Sequence, residues 1–81
     1  MLENATIETK LSSNDDIDYA RVEGDGYHYE ITVVSPVFHE KRRVARQQWV
    51  YQILQEWISD GSLHAVTLNT YSLQEWEEKN G

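Results

Sequence analysis

The chain has 81 residues, 40% of them hydrophobic and 11% aromatic, which is enough for one folded domain and too little for two. Its 14 acidic and 7 basic residues give a formal net charge of -7, which disfavours a general nucleic-acid binder, because such proteins neutralise phosphates with Lys and Arg. The sequence contains no cysteine, which excludes disulfides, thiolate catalysis and sulfur ligation of a metal by this chain alone.

The first half of the sequence predicts a short helix followed by a β-hairpin. Residues 4–14 have weak helical spacing, and a helix this short must pack against the rest of the domain to be stable. Residues 17–23 and 27–35 are strand-like, and the Gly-Asp-Gly at 24–26 between them is the strongest turn signal in the chain. We therefore expect two antiparallel strands joined by this turn.

A long helix is predicted for residues 42–59, after a short helical connection that begins at Pro36. Apolar residues recur at helical spacing on one face of this helix, while Gln and Glu occupy the opposite face. The apolar face consists of Val50, Ile53, Leu54, Trp57 and Ile58. Gly61, in the Asp-Gly-Ser sequence that follows, is suited to the left-handed conformation with which many helices end.

A third strand and a terminal helix complete the pattern. Residues 64–71 are strand-like and follow directly on the turn that ends the long helix. Ser72 and Glu75 stand three residues apart, as in a capping box that begins a helix. Tyr71 and Trp76 occupy the positions of a hydrophobic staple across the same helix start.

The predicted fold is α+β in the order αββααβα, within a single domain of residues 1–81. A three-stranded mixed sheet with helices packed on one face would bury an apolar surface of each element. The crossover helix permits the second and third strands to run parallel or antiparallel, and the sequence leaves both arrangements open. No apolar run is long enough to span a membrane and the polar start has no signal-peptide core, so we expect a cytoplasmic protein.

The sequence lacks common enzyme signatures. It has no Gly-rich phosphate loop, no GxSxG motif and no HExxH pair, since His39-Glu40 is not followed by a second histidine at that spacing. Carboxylates are numerous but scattered, and a domain of this size offers little room for a deep pocket that excludes water. We therefore expect that the chain is not an enzyme.

The three histidines are the residues that deserve testing as metal ligands. His64 begins the third strand directly after a turn, and His28 follows the hairpin turn. His39 lies in a charged connection beside Glu40 and Lys41. Their positions alone favour surface or structural roles over metal ligation for all three histidines.

Four of the seven basic residues cluster at the start of the long helix: Lys41, Arg42, Arg43 and Arg46. Positive charge is unfavourable at a helix N-terminus because of the helix dipole. The cluster therefore indicates either an anionic partner, such as a phosphate, a carboxylate or an acidic protein surface, or a solvated charged turn. The sequence alone does not separate these two interpretations.

Several stretches of the chain resemble the BolA family, in the family's order. They are residues 22–29 (VEGDGYHY), 33–38 (VVSPVF), 43–51 (RVARQQWVY), 63–68 (LHAVTL) and 71–76 (YSLQEW). The His-Ala-aliphatic element followed by the terminal Tyr and Trp is the most specific part. The compact Gly-Asp-Gly hairpin is most similar to the bacterial IbaG/YrbA-like branch of that family.

This resemblance implies a fold similar to class II KH domains and an adaptor role in iron–sulfur cluster trafficking or iron sensing. The implied partner is a monothiol glutaredoxin, which with glutathione would share a bridging 2Fe-2S cluster with this chain, while the isolated chain would hold none. His64 matches the family's ligand near the C-terminus. His28 is the nitrogen nearest to a second ligand position in the hairpin, and Asp25 occupies the place of a cysteine in another branch.

The resemblance also implies an alternative function, that of a KH-like nucleic-acid-binding transcriptional regulator. The basic cluster at 41–46 favours this alternative. The net charge opposes it, as does Glu40, which stands where many relatives have Gly in the region of the KH nucleic-acid loop. We therefore expect nucleic-acid binding to be weak or absent. A protein-interaction module without a metal is a third interpretation, and a homodimer is compatible with the sequence.

Overall fold

The computed structural model, which describes residues 2–81, confirms the predicted order αββααβα. The first half contains α1 (Asn4–Ser12), β1 (Tyr19–Gly24), β2 (His28–Val34) and a 3₁₀ helix (Pro36–Glu40). The second half contains α2 (Arg43–Ile53), α3 (Gln55–Ser59), β3 (Ala65–Tyr71) and α4 (Leu73–Asn80). No helix in the described part of the chain is long and apolar enough to cross a membrane.

The three strands form one mixed sheet in the order β1-β2-β3. Strands β1 and β2 are antiparallel, and β2 and β3 are parallel, which settles the arrangement that the sequence left open. Tyr19 of β1, Val34 of β2 and Tyr71 of β3 lie side by side at one end of the sheet. At the other end, His28 lies beside Ala65. This register brings the hairpin turn and the start of β3 to the same end of the sheet.

One face of the sheet packs against α1, α2 and α3 around the hydrophobic core. Alternating side chains of the central strand β2, Tyr29, Ile31 and Val33, are completely buried on this face. They pack with Ile7 and Leu11 of α1 in a single core cluster, and with Phe38, Val50, Leu54, Leu63 and Leu68. The weakly amphipathic α1 therefore gains its stability from this packing.

The long helix predicted for residues 42–59 is divided into α2 and α3 at Leu54. The N–H of Leu54 is shared between the carbonyls of Val50 (3.3 Å) and Tyr51 (3.2 Å), which is typical of the tighter last turn of a helix. Val50 and Leu54 are both completely buried. The interruption of the predicted helix therefore falls on a core residue.

Helix α4 differs from the expectation that all helices cover one face. Its Trp76 stacks on Tyr19 with ring centroids 5.3 Å apart and contacts Tyr71 at 5.2 Å. Both tyrosines share the outer face with Val34, which is 1% exposed. The α4 helix thus covers one end of the outer face, because three aromatic side chains and Val34 bury apolar surface there. The predicted capping box is confirmed: Ser72 Oγ accepts from the Glu75 N–H, and the Ser72 N–H donates to Glu75.

Candidate functional site

His64 lies at the end of a tight turn between α3 and β3. Gly61 adopts φ +82°, as predicted for the residue that ends the helix, and the Asp60 carboxylate accepts from the Ser62 N–H at 2.8 Å. Hydrogen bonds from Ser62 hold the pKa of Asp60 below its usual value. Leu63 is buried and its N–H donates to a carbonyl of α3 at 3.0 Å. A fixed turn and a buried anchor therefore present the next residue, His64, at the surface.

Two shallow depressions adjoin the His64 side chain. The first is lined by the hairpin turn and the α3–β3 turn: Leu2, Gly26, Tyr27, Gly61, Ser62 and His64. The second lies between α2, α3 and the start of β3: Tyr51, Gln55, Ile58, Leu63, His64 and Val66. Within residues 2–81 the His64 ring makes no hydrogen bond or ion pair. Its nitrogens are therefore available to a partner.

Tyr27, next to this site, is a surface residue that the sequence reasoning missed. Its side chain is 75% exposed, the most exposed of the large hydrophobic residues, and it lines the same depression as His64. Exposed tyrosines are frequent anchors of protein interfaces. Its position immediately after the Gly-Asp-Gly turn was the signal available in the sequence, because a side chain at a hairpin tip has little core to pack against.

Asp25 organises the hairpin turn. Its Oδ1 accepts from the N–H groups of Tyr27 (2.9 Å) and His28 (3.0 Å), and its own N–H donates to the His28 carbonyl at 3.3 Å. Backbone hydrogen bonds, first from His28 and then from Tyr27, lower the pKa of Asp25. Gly24 has φ +152°, and a Cβ there would collide with the His28 carbonyl oxygen. The carboxylate is thus engaged in turn formation.

His28 lies on the outer face of the sheet, away from the His64 depressions. Its Nε2 is 2.9 Å from Thr67 Oγ1, and it lines a depression with acidic residues, including Glu23, Asp25 and Glu30. His28 pairs in register with Ala65. Because successive side chains along a strand point to opposite faces of the sheet, His64, which precedes Ala65, is directed away from His28. The structure therefore does not bring the predicted ligands His28 and His64 into one depression.

The described chain, residues 2–81, contains no group of three or more His, Cys, Asp or Glu side chains placed to hold a metal ion. A complete metal site cannot be formed by His64 and its neighbours alone. What the site offers is one accessible imidazole at the surface, a ligand type that suits iron, zinc, copper and nickel.

Arg46, predicted as part of an anion-binding cluster, is used inside the protein. Its five N–H donors all have partners: the carbonyls of Lys41 (2.8 Å), Thr70 (3.3 Å) and Phe38 (2.7 Å), and both oxygens of Glu75 (2.7 and 3.3 Å). The hydrogen bonds from Arg46, followed by the Ser72 N–H, lower the pKa of Glu75 to about 2. Arg46 therefore has no donor left for an outside anion.

Lys41, Arg42 and Arg43 remain at the surface beside the start of α2. Helix α2 has no acidic residue in its first turn and no side chain that caps it. None of the three cations forms an ion pair within residues 2–81. The predicted anion-binding cluster is thus reduced to these three residues. His39 and Glu40 are exposed at the end of the neighbouring 3₁₀ helix.

Comparison with known proteins gives consistent results. The family described as BolA-like protein matches residues 2–75. The Acid stress protein IbaG of Escherichia coli (strain K12) is 36% identical over 75 residues, which cover 93% of this chain and 89% of that protein. The DNA-binding transcriptional regulator BolA of Vibrio cholerae is 33% identical over 84 residues, covering 91% of this chain and 78% of that protein. A solved BolA protein homologue from Coxiella burnetii has a TM-score of 0.77 at 30% identity, covering 95% of this chain and 99% of that one.

Proposed function

Because the chain belongs to the BolA family, we propose that it is an adaptor that binds a monothiol glutaredoxin and contributes a ligand to a 2Fe-2S cluster bridging the two proteins. Its role would be in iron–sulfur cluster trafficking or iron sensing, in the cytoplasm, and without catalysis of its own. The observation that carries this proposal is the exposed His64 imidazole, which has no internal hydrogen-bond partner in residues 2–81 and stands on a fixed turn.

The chemistry of the chain suits shared ligation. It has no cysteine, so the thiolates would come from the glutaredoxin and its glutathione, and the chain would add nitrogen. Histidine replaces cysteine on one iron of some 2Fe-2S centres, which raises the reduction potential of the cluster. His64 would donate a ring-nitrogen lone pair to the iron. The buried Leu63 side chain holds the turn that carries His64 against the core, and the exposed Tyr27 side chain offers contact area to the partner.

The proposed second ligand is His28, ahead of Asp25. To reach a site shared with His64, His28 would have to give up its hydrogen bond to Thr67 and the hairpin would have to move. Asp25 is engaged in the turn, because one of its oxygens accepts from the N–H groups of Tyr27 and His28, and these hydrogen bonds lower its pKa. Imidazole nitrogen is also a better ligand for a cluster iron than a hard carboxylate oxygen.

Titration of a glutathione-loaded, cluster-containing monothiol glutaredoxin with this chain tests the proposal. We expect changed visible absorption and circular dichroism, a heterodimer on size-exclusion chromatography, and iron and sulfide retained in it. The isolated chain should be colourless and free of iron. An unaltered glutaredoxin spectrum at saturating chain, with no heterodimer, would contradict the proposal.

The second candidate is a nucleic-acid-binding transcriptional regulator. It is supported by the unpaired cations Lys41, Arg42 and Arg43, and by the name of the Vibrio cholerae relative, which is a DNA-binding regulator. The net charge of -7 and the exposed Glu40 beside these cations weaken it, since both repel phosphates. Fluorescence anisotropy with labelled DNA and RNA at physiological salt separates the two candidates.

A further inference from the structure

The two edges of the sheet differ in how they are covered. At the β1 edge, Glu8 of α1 accepts from the Val22 N–H at 3.0 Å, and Asn4 donates to the Gly24 carbonyl at 3.2 Å. Side chains of α1 thus pair with backbone groups that β1 directs away from the sheet. Coverage of this kind prevents another strand from adding to an edge.

The β3 edge has much less protection. The Ser35 N–H donates to the Tyr71 carbonyl at 3.0 Å, so Tyr71 directs its backbone groups toward β2. Residues alternate along a strand, and therefore Val66, Leu68 and Thr70 direct their N–H and C=O groups to the open side. Within residues 2–81 one side chain bonds there: Arg46, which donates to the Thr70 carbonyl at 3.3 Å. The other outward groups of this edge, the N–H and C=O of Val66 and Leu68 and the N–H of Thr70, have no hydrogen-bond partner within residues 2–81.

Two depressions adjoin β3, one near each end of the strand. One depression is lined by residues 68–71 of the strand, by the cations Lys41, Arg42 and Arg43, and by Arg46, Glu75 and Glu78. The second His64 depression is lined by Leu63, His64 and Val66, together with residues of helices α2 and α3. An extended segment of polypeptide that occupied both depressions would lie beside the outward backbone groups of Val66, Leu68 and Thr70.

The charge at one end of this edge is positive, in contrast to the chain as a whole. Lys41, Arg42 and Arg43 are unpaired within residues 2–81, whereas Arg46 is neutralised by Glu75. Glu78 is the remaining acidic residue of the depression and Glu40 precedes Lys41 in the chain, so three unpaired positive charges stand against two negative ones. The local excess of positive charge stands on a chain whose formal net charge is -7. Such a patch attracts acidic partners and fixes their orientation.

We propose that the free edge of β3 binds an extended acidic segment of a partner protein as a fourth strand, with the acidic residues of that segment beside Lys41, Arg42 and Arg43. A polypeptide backbone supplies both the donors and the acceptors that Val66 and Leu68 require. A DNA backbone supplies acceptors only, which would leave the outward carbonyls unpaired. This surface acts without a metal, so the proposal does not depend on cluster ligation.

Hydrogen exchange of the isolated chain, followed by NMR, tests the mode of binding. The probes are the blocked peptides Asp-Asp-Glu-Val-Thr-Val-Thr-Val and Val-Thr-Val-Thr-Val-Glu-Asp-Asp, since the added strand can run in either direction. At saturation with the peptide that binds, the N–H groups of Val66, Leu68 and Thr70 should exchange at least about tenfold more slowly. Those of Thr67 and Asn69, which already face β2, should be unchanged. Equal protection of all five, or of none, would overturn the proposal.

Two further comparisons separate strand addition from general attraction of charges. The variant Arg42→Glu/Arg43→Glu should bind the peptide at least about fivefold more weakly, and it should stay folded because acidic residues are favourable at a helix N-terminus. The control Arg21→Glu/Lys79→Glu changes the charge equally on the outer face and should bind like the wild type. Two peptides N-methylated at alternate residues, in the two possible frames, block the N–H groups on one side of the added strand or on the other, so one of them should lose binding and the other should keep it. If both still bind, or if oligo(dT) binds this edge more tightly than either unmethylated peptide, the proposal is wrong.

Discussion

Replacing Arg46 by Ala should destabilise the domain more than any other single loss of surface charge. Arg46 links α2 to the 3₁₀ helix, to the end of β3 and to the first turn of α4 through five hydrogen bonds. Its side chain is 12% exposed, whereas that of Glu75 is 46% exposed. The variant would leave the carbonyls of Phe38 and Thr70 without this donor, and α4 without its link to α2.

The loss of stability caused by Arg46→Ala can be estimated from this geometry. Arg46→Ala removes five hydrogen bonds, each of which contributes roughly 0.5–1.5 kcal/mol net, and the low end of that range applies to the two bonds with the half-exposed Glu75. We expect the free energy of unfolding to fall by about 3 kcal/mol, which in a domain of this size corresponds to a decrease in Tm of at least about 12 °C. The stability of Arg46→Lys should lie between those of the wild type and Arg46→Ala, since Lys keeps the positive charge but has fewer N–H donors for these acceptors.

Urea denaturation followed by circular dichroism measures this difference, with Lys10→Ala as the matched control. Lys10 forms an ion pair with Glu56 at 3.3 Å, but the two side chains are 42% and 63% exposed. Loss of that pair should cost less than about 1 kcal/mol. If Arg46→Ala is no more destabilising than Lys10→Ala, the assignment of Arg46 as an internal link is wrong.

Three other predictions concern Glu75, Trp76 and binding to nucleic acid. The pKa of Glu75 is lowered to about 2, so its ionised carboxylate stabilises the fold above the unfolded value of 4.5, and this stabilisation is lost as the pH falls toward 2. In Glu75→Gln, the free energy of unfolding should therefore fall by about 1 kcal/mol less than in the wild type over this pH range, as measured by urea denaturation. The value is small because the side chain is half exposed. Trp76→Ala removes the contacts with Tyr19 and Tyr71 and should lower the free energy of unfolding by about 2 kcal/mol, as measured by thermal scans, and reduce the near-UV circular dichroism. Binding to random DNA or RNA at physiological salt should have a Kd of about 10⁻⁴ to 10⁻⁶ M, and a sequence-selective nanomolar complex in anisotropy titrations would support the regulator instead.

The features that the sequence predicted well depend on contacts between near neighbours. The Gly-Asp-Gly hairpin, the Ser72–Glu75 capping box and the left-handed Gly61 are each specified within a few residues. Their chemistry is the same wherever the segment lies in the fold, because turn and cap geometry follows from the local backbone.

The features that the sequence could not predict depend on contacts between distant segments. The parallel pairing of β2 with β3 and the position of Trp76 on the outer face follow from tertiary packing. Arg46 looked like part of a basic surface, but its partners at Phe38 and Thr70 are brought to it only by folding. The separation of His28 from His64 likewise follows from strand register, which pairs His28 with Ala65.

The most direct test of the proposed function is pulsed electron paramagnetic resonance of the reduced complex with glutaredoxin and glutathione. We predict nitrogen hyperfine coupling from a histidine in the wild type, its loss in His64→Ala, a weakened signal or less stable cluster in His28→Ala, and no change in His39→Ala. His39 is the matched control because it is an exposed histidine outside the site. If His64→Ala forms the same complex with the same nitrogen coupling, His64 is not the ligand and the central claim fails.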